Sequence, residues 1–207
     1  MITQTSIETF LTELAGKAPT PGGGSAAAIM GAMGAALVSM VCNVSIGKKD
    51  CAPMEPELLA VRAESERLRL RLTAMVAEDV AAFDSLMSAY RQPKSNESEK
   101  AGRAASIQLG LRSATLAPLA CARASAEVIE LARRAAVAGT RGVISDAGVA
   151  ALAAHAALRS AALNVYVNAP LLTDLEFARQ STAELDALIA TSASTSETAN
   201  AIVRSRL

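Results

Sequence analysis

The chain has almost no aromatic residues: 2% in all, with no tryptophan, three phenylalanines and two tyrosines. That excludes the stacking platforms on which single-stranded nucleic acids are bound. It also lacks an excess of charge of either sign, with 20 Lys and Arg against 20 Asp and Glu. Without a basic excess there is no electrostatic footprint for a phosphate backbone, and no nucleic-acid partner is expected. Histidine occurs once, as His155, so clustered zinc sites and a Ser-His-Asp triad have too few groups to form. His155 reads as an ordinary helix residue. The three cysteines, Cys42, Cys51 and Cys121, are odd in number and widely spaced, which fits neither a disulfide framework nor a CxxC metal site. Reduced thiols in a cytoplasmic protein are expected. The first residues, MITQTSIETFLTEL, carry no basic stretch followed by an apolar run, so no secretory signal is read there. Nowhere does hydrophobicity alternate with period two for long enough to make a sheet.

What is present is alanine, which carries much of a 51% hydrophobic share. Alanine favours helix and disfavours strand, and its small side chain lets helices approach closely. The expectation is an all-α protein: one domain over residues 1–207, a bundle of five to six antiparallel helices around a small-residue helix. The first helix starts after Ser6 and places Ile7, Phe10, Leu11 and Leu14 at helical spacing, stopping at Gly16 and Pro19. A second, capped by Ser25, runs to about Gly47. A third covers Glu55 to Tyr90 with a charged, solvated front half. The polar stretch RQPKSNESEK is a loop. A fourth runs from about Glu97 to Val137, kinked or restarted at Pro118. A fifth, capped by Ser145 or Asp146, ends near Asn168, and a last one begins at Thr173.

The stretch TPGGGSAAAIMGAMGAALVSMVCNVSIGKKD, Thr20 to Asp50, carries the most information. No Lys-Ser or Lys-Thr follows its glycines, so it is not a Walker loop, and no strand precedes it as a dinucleotide fold requires. Ala26 to Cys42 is uncharged over 17 residues, near the lower limit for a membrane span. Its composition of Ala, Gly, Ser and Met inserts weakly, and no second span is read. A buried bundle helix is the better account, and no membrane partner is expected. Its ends have a different character. Three glycines are costly unless backbone turns or lies against a ligand, and free N–H groups at a helix start attract carbonyl or anionic groups. At the other end Lys48 and Lys49 could face a substrate carboxylate, or simply complement the helix dipole.

PTPGGGSAAA, GAMGAALVSMV and GKK, followed in order by EDVAAF, QPK, IQLGLRSATLAPL, SDAGVAA and NVYVN, resemble the formiminotetrahydrofolate cyclodeaminase/methenyltetrahydrofolate cyclohydrolase family. The matches run over about residues 6 to 170. The resemblance is to the stand-alone bacterial form, nearest the cyclohydrolase branch found in methylotrophs. It implies an all-helical homodimer acting on a folate. A cyclohydrolase adds water to the amidinium carbon of 5,10-methenyltetrahydrofolate and opens the ring to 10-formyltetrahydrofolate. That carbon is already electrophilic, so no metal and no cofactor beyond the tetrahydrofolate substrate is expected. The reaction needs a base for the water and an acid for the departing nitrogen.

Asp79 is the first candidate for both tasks. It matches the acidic position of EDVAAF, and mid-helix aspartate has no capping reason to be there; the bland account is a surface charge beside Glu78. Lys48 or Lys49 would orient the substrate or stabilise the oxygen of the tetrahedral intermediate. Gln108 would bond the pterin edge or the water, or is a plain helix glutamine. Gly22, Gly23, Gly24 and Ser25 would give the folate room against backbone. Asp146 is a substrate contact or a cap. Asn164 and Asn168, four apart, share one helix face and form a ligand wall or interhelical hydrogen bonds. The cyclodeaminase reaction, which closes 5-formiminotetrahydrofolate to the same methenyl compound and releases ammonia, is the alternative. A non-catalytic helical assembly protein is the more distant one.

Overall fold

A computed structural model describes residues 5–207. The described residues form six α-helices: α1 Ile7–Leu14, α2 Gly23–Ser45, α3 Glu55–Tyr90, α4 Glu97–Ala138, α5 Ile144–Asn168 and α6 Leu175–Arg206. Among the described residues there is no strand. Short 3-10 turns at Lys49–Met54, Arg141–Val143 and Ala169–Leu171 join them.

Pair contacts set the directions. Gly24 lies against Asp79 and Gly31 against Leu72, while the Ser39 and Ser65 hydroxyls bond at 2.7 Å, so α2 and α3 are antiparallel. Gly110 against Leu86 and Arg134 on Glu57 at 2.7 Å make α4 antiparallel to α3. Gly34 meets the Ala150 carbonyl and Ala154, and just before α5 the Thr140 N–H donates to Ser45 Oγ at the end of α2 at 2.8 Å, which makes α5 antiparallel to α2. The bundle therefore has two ends. One gathers the start of α2, the end of α3, the start of α4 and the end of α5; the other gathers the opposite termini.

Small residues explain the close spacing. A methyl added at Gly34 would lie 3.0 Å from the Ala150 carbonyl, too close for α2 and α5 to keep their separation. Ala27, Ala28 and Ala35 of α2 and Ala150, Ala151 and Ala154 of α5 are all buried. Leu58, Leu68, Leu72, Leu119, Ile129 and Leu158 fill the wider gaps between α3, α4 and α5. α2 touches α3, α4 and α5, yet it is not enclosed: one stripe, including Met33 and Val44, faces outward.

Several boundaries differ from expectation. α2 begins at Gly23 with Gly22 as its N-cap, so Ser25 lies inside the first turn and is free for another contact. Likewise α5 begins at Ile144 with no side-chain cap, so neither Ser145 nor Asp146 caps it. α6 is capped by Asp174, whose Oδ1 accepts from the Phe177 N–H at 3.0 Å. α4 runs unbroken through Pro118. The proline withholds the N–H that the Ala114 carbonyl would accept, and Asn168 Nδ2 donates to that oxygen instead, at 2.8 Å. A second helix also has the length and hydropathy of a membrane span. Besides Gly23–Ser45 (mean hydropathy 1.8), Arg141–Leu171 passes (1.2), because its charges are few enough; about half of each window is buried in the bundle.

Candidate active site

At the end where α2 starts, its first turn meets α3 side-on. The N–H groups of that turn have no intrahelical partners and carry the positive end of the helix dipole. Asp79 of α3 faces this turn. The Ser25 hydroxyl donates to Asp79 Oδ2 at 2.9 Å, and the Ser25 backbone N–H bonds the same carboxylate. Gly24 is glycine for a steric reason: a methyl there would lie 2.5 Å from Asp79 Cγ and closer still to Oδ1. The carboxylate thus occupies the space a side chain at position 24 would need. Gly22 serves as the N-cap and Gly23 borders open space.

Half-buried Asp79 has its pKa raised above the ordinary carboxylate value, because desolvation outweighs the two opposing Ser25 hydrogen bonds. The group therefore holds a proton more readily than a solvated aspartate, which suits an acid–base role.

Asp79 opens on a cleft of about 310 Å³ between the end of α3, the front of α4 and the end of α5. Phe83, Met87 and Tyr90 form its α3 wall, Leu111 and Ala114 its α4 wall, and Asn164, Val167 and Asn168 its α5 wall. A wider groove of about 730 Å³ runs between the Gly16–Pro21 loop and Ala77 and Val80. Its charged groups, Glu13 and Lys17, are exposed, so it offers none of the desolvation that tunes Asp79.

Asp79, Asn164 and Asn168 come together in the cleft, with Gly24 and Ser25 behind the carboxylate; Gly22 and Gly23 make no contact with it. Asn168 is half committed, its amide holding the Ala114 carbonyl. Asn164 Nδ2 donates to Ser160 O at 3.2 Å, which leaves its Oδ1 for a ligand. Gln108 is bonded to the α5–α6 connection. Its Nε2 donates to Leu171 O at 3.1 Å, and its Oε1 accepts from the Thr173 N–H at 2.8 Å. It thereby clamps the α5–α6 connection, and with it the cleft's Leu171, onto α4. Lys48, Lys49 and Asp146 lie at the other end of the bundle. Both lysines are exposed beyond the end of α2, and a helix of 23 residues is about 33 Å long. Within one chain neither lysine reaches Asp79. Asp146 sits in the first turn of α5, where its charge complements the dipole.

Phe83, Met87 and Tyr90 were not singled out as site residues, although the signal was there. Asp79, Phe83, Leu86 and Tyr90 recur at intervals of four, three and four, which is one helix face. Two of the chain's five aromatics share that face with its misplaced aspartate. Among the described residues no three of His, Cys, Asp and Glu converge as a metal-ligand set.

The arrangement is that of an all-helical protein with a desolvated carboxylate at the wall of a cleft lined by aromatic and amide side chains. The chain belongs to the formiminotransferase-cyclodeaminase family, whose profile matches residues 6–187. It is 56% identical to the methenyltetrahydrofolate cyclohydrolase of Methylorubrum extorquens over 98% of this chain and 97% of that one. It is 32% identical to the formimidoyltransferase-cyclodeaminase of Sus scrofa over 88% of this chain. There it spans only 34% of the longer animal protein. The crystal structure of formiminotetrahydrofolate cyclodeaminase from Thermotoga maritima superposes with a TM-score of 0.89 over 99% of this chain and 98% of that one, at 27% identity.

Proposed function

We propose that this protein is an enzyme that hydrolyses 5,10-methenyltetrahydrofolate to 10-formyltetrahydrofolate. The observation that carries the reading is Asp79, desolvated and held by Ser25 at the wall of an amide- and aromatic-lined cleft. The near-full-length similarity to a cyclohydrolase supports the substrate. The methenyl carbon, between N5 and N10, carries amidinium charge. Asp79 as carboxylate complements that charge and takes a proton from the attacking water, so that oxygen bonds to carbon and a neutral tetrahedral adduct forms. Asp79 then returns the proton to N5 as the C–N5 bond breaks, leaving the formyl group on N10. The adduct's hydroxyl proton is released, which balances the lost positive charge.

Phe83 and Tyr90 suit the pterin and benzoyl rings, and Asn164 and Asn168 suit the pterin's edge. No cofactor beyond the tetrahydrofolate takes part in this scheme. The reaction is set in a reducing cytoplasm, in keeping with three free, buried thiols. Neither nucleic acid nor membrane has a role, and the working unit is a homodimer.

The experiment is direct: purified protein is mixed with methenyltetrahydrofolate and its ultraviolet absorbance followed. Faster decay than in buffer, lost in Asp79→Asn, is the expected result. No acceleration would overturn the reading. The second reading, closure of 5-formiminotetrahydrofolate with ammonia release, is favoured by the likeness to the Thermotoga cyclodeaminase; the methenyl signal would then appear from the formimino substrate.

A further inference from the structure

Lys48 and Lys49 make no ion pair among the described residues, and one chain holds them a full helix length from Asp79. Between the two ends lies an uncovered apolar face. On α2 it consists of Met33, Leu37, Met40 and Val44, spaced four, three and four, with Met33 56% exposed. On α5, its direct neighbour, Val149, Leu152, Leu163 and Val167 stand outward, Leu163 and Val167 being 66% and 68% exposed. Three- and four-residue spacing is the seam on which helices pair. Val167 belongs both to this face and to the wall of the Asp79 cleft, so whatever covers the face borders the site.

A second copy of this chain fits the face. Its length is about 33 Å and two helices are about 20 Å wide, which gives about 700 Å² per partner, close to the standard interface. A two-fold axis along the helices would set the lysine pairs at the same end, like charge beside like. A two-fold axis across them inverts the partner, separates the two lysine pairs, and sets each pair toward the end that holds the other chain's Asp79. About the midpoint of the α2 stripe, between Leu37 and Met40, an inverted copy sets the partner subunit's Lys48 level with Ile29 and the partner subunit's Lys49 level with Ala28, about one helical turn from the serine that holds Asp79.

From this geometry we infer that the homodimer pairs antiparallel through α2 and α5 and that each site is completed by the partner subunit's Lys48 and the partner subunit's Lys49. The inference rests on the folate reading above. The substrate has a cationic amidinium at one end and the carboxylates of its glutamate at the other. The lysines hold the carboxylate end, because an ammonium beside the amidinium would be repelled. They are positioning residues for the substrate and take no part in proton transfer.

The test separates trans from cis. The Lys48→Ala/Lys49→Ala double variant is expected to raise KM about tenfold, the scale of one charge-assisted contact, with kcat little changed; Asp79→Ala is expected to be inactive. The two chains, co-expressed with different tags and purified as a hybrid dimer, form one site with Asp79 and intact partner lysines. Wild-type KM with about half the wild-type kcat is then expected, as one of two equivalent sites survives. A hybrid that keeps the raised KM places the lysines in cis and overturns the inference, as does a double variant with normal KM. Leu152→Glu with Leu163→Glu, on the face but outside the cleft, is expected to give a folded monomer by light scattering and circular dichroism, with KM raised as in the lysine variant. A wild-type monomer, or a monomer that sediments with phosphatidylcholine–phosphatidylglycerol vesicles, refutes the pairing. Wild-type protein inactive on methenyltetrahydrofolate would refute the folate reading instead, and light scattering would still report on the dimer.

Discussion

Replacing Gly24 by alanine tests whether the start of α2 sets the position of the Asp79 carboxylate. The added methyl would lie 2.0 Å from Asp79 Oδ1 and 2.5 Å from its Cγ, where ordinary van der Waals contact begins at 3.4 Å. The carboxyl must therefore move by more than 1 Å, which it can do as the far end of a side chain that rotates. Stability should change little: alanine gains up to about 1 kcal/mol over glycine in a helix, which offsets part of the lost Ser25 hydrogen bond of about 1–2 kcal/mol. Catalysis should suffer more, since a displacement of about 1 Å typically costs on the order of a hundredfold. The assay pairs initial rates of methenyl decay with a thermal melt. Gly24→Ala is expected to lose about two orders of magnitude in kcat while melting within a few degrees of wild type. Full activity in a well-folded Gly24→Ala protein would refute the claim that the helix start positions Asp79.

Other outcomes follow from the same contacts. Because the Asp79 pKa is raised, the acid limb of the kcat/KM profile should lie above the usual aspartate value of about 4, and Ser25→Ala, which removes a bond to the charged form, should move it higher. A carboxyl whose folded pKa is raised stabilises the fold fully below its unfolded pKa and loses that contribution as pH rises through its folded pKa. Asp79→Asn should therefore melt higher than wild type at pH 7, with the gain disappearing by pH 3, while activity is lost. Asn168→Ala should cost about 1–2 kcal/mol in urea unfolding by orphaning the Ala114 carbonyl. In a Pro118→Ala background, where the helix supplies its own N–H, that cost should shrink, and a double-mutant cycle measures the difference.

Local chemistry made the helices legible. Alanine content, Ser6, the RQPKSNESEK loop and three- and four-residue spacing act within a few residues of chain, so the six helices and the all-α class were readable before any coordinates. Asp79 stood out as a candidate, an aspartate with no local reason to be mid-helix. Its partner did not: whether Ser25 caps α2 or bonds Asp79 depends on where α2 begins, and the approach of α3 decides that. Pro118 shows the same limit, since a proline breaks a helix unless a distant group such as Asn168 takes the freed carbonyl. That Gln108 ties the α5–α6 connection to α4 was not legible, because the residues it bonds are more than sixty positions away. The lysines and the aspartate belong to one sequence pattern, and only packing shows them at opposite ends of a bundle. Sequence by itself determined what each residue can do over one helical turn; tertiary structure decided which of them meet, because those contacts depend on helix directions and spacings set by the whole core.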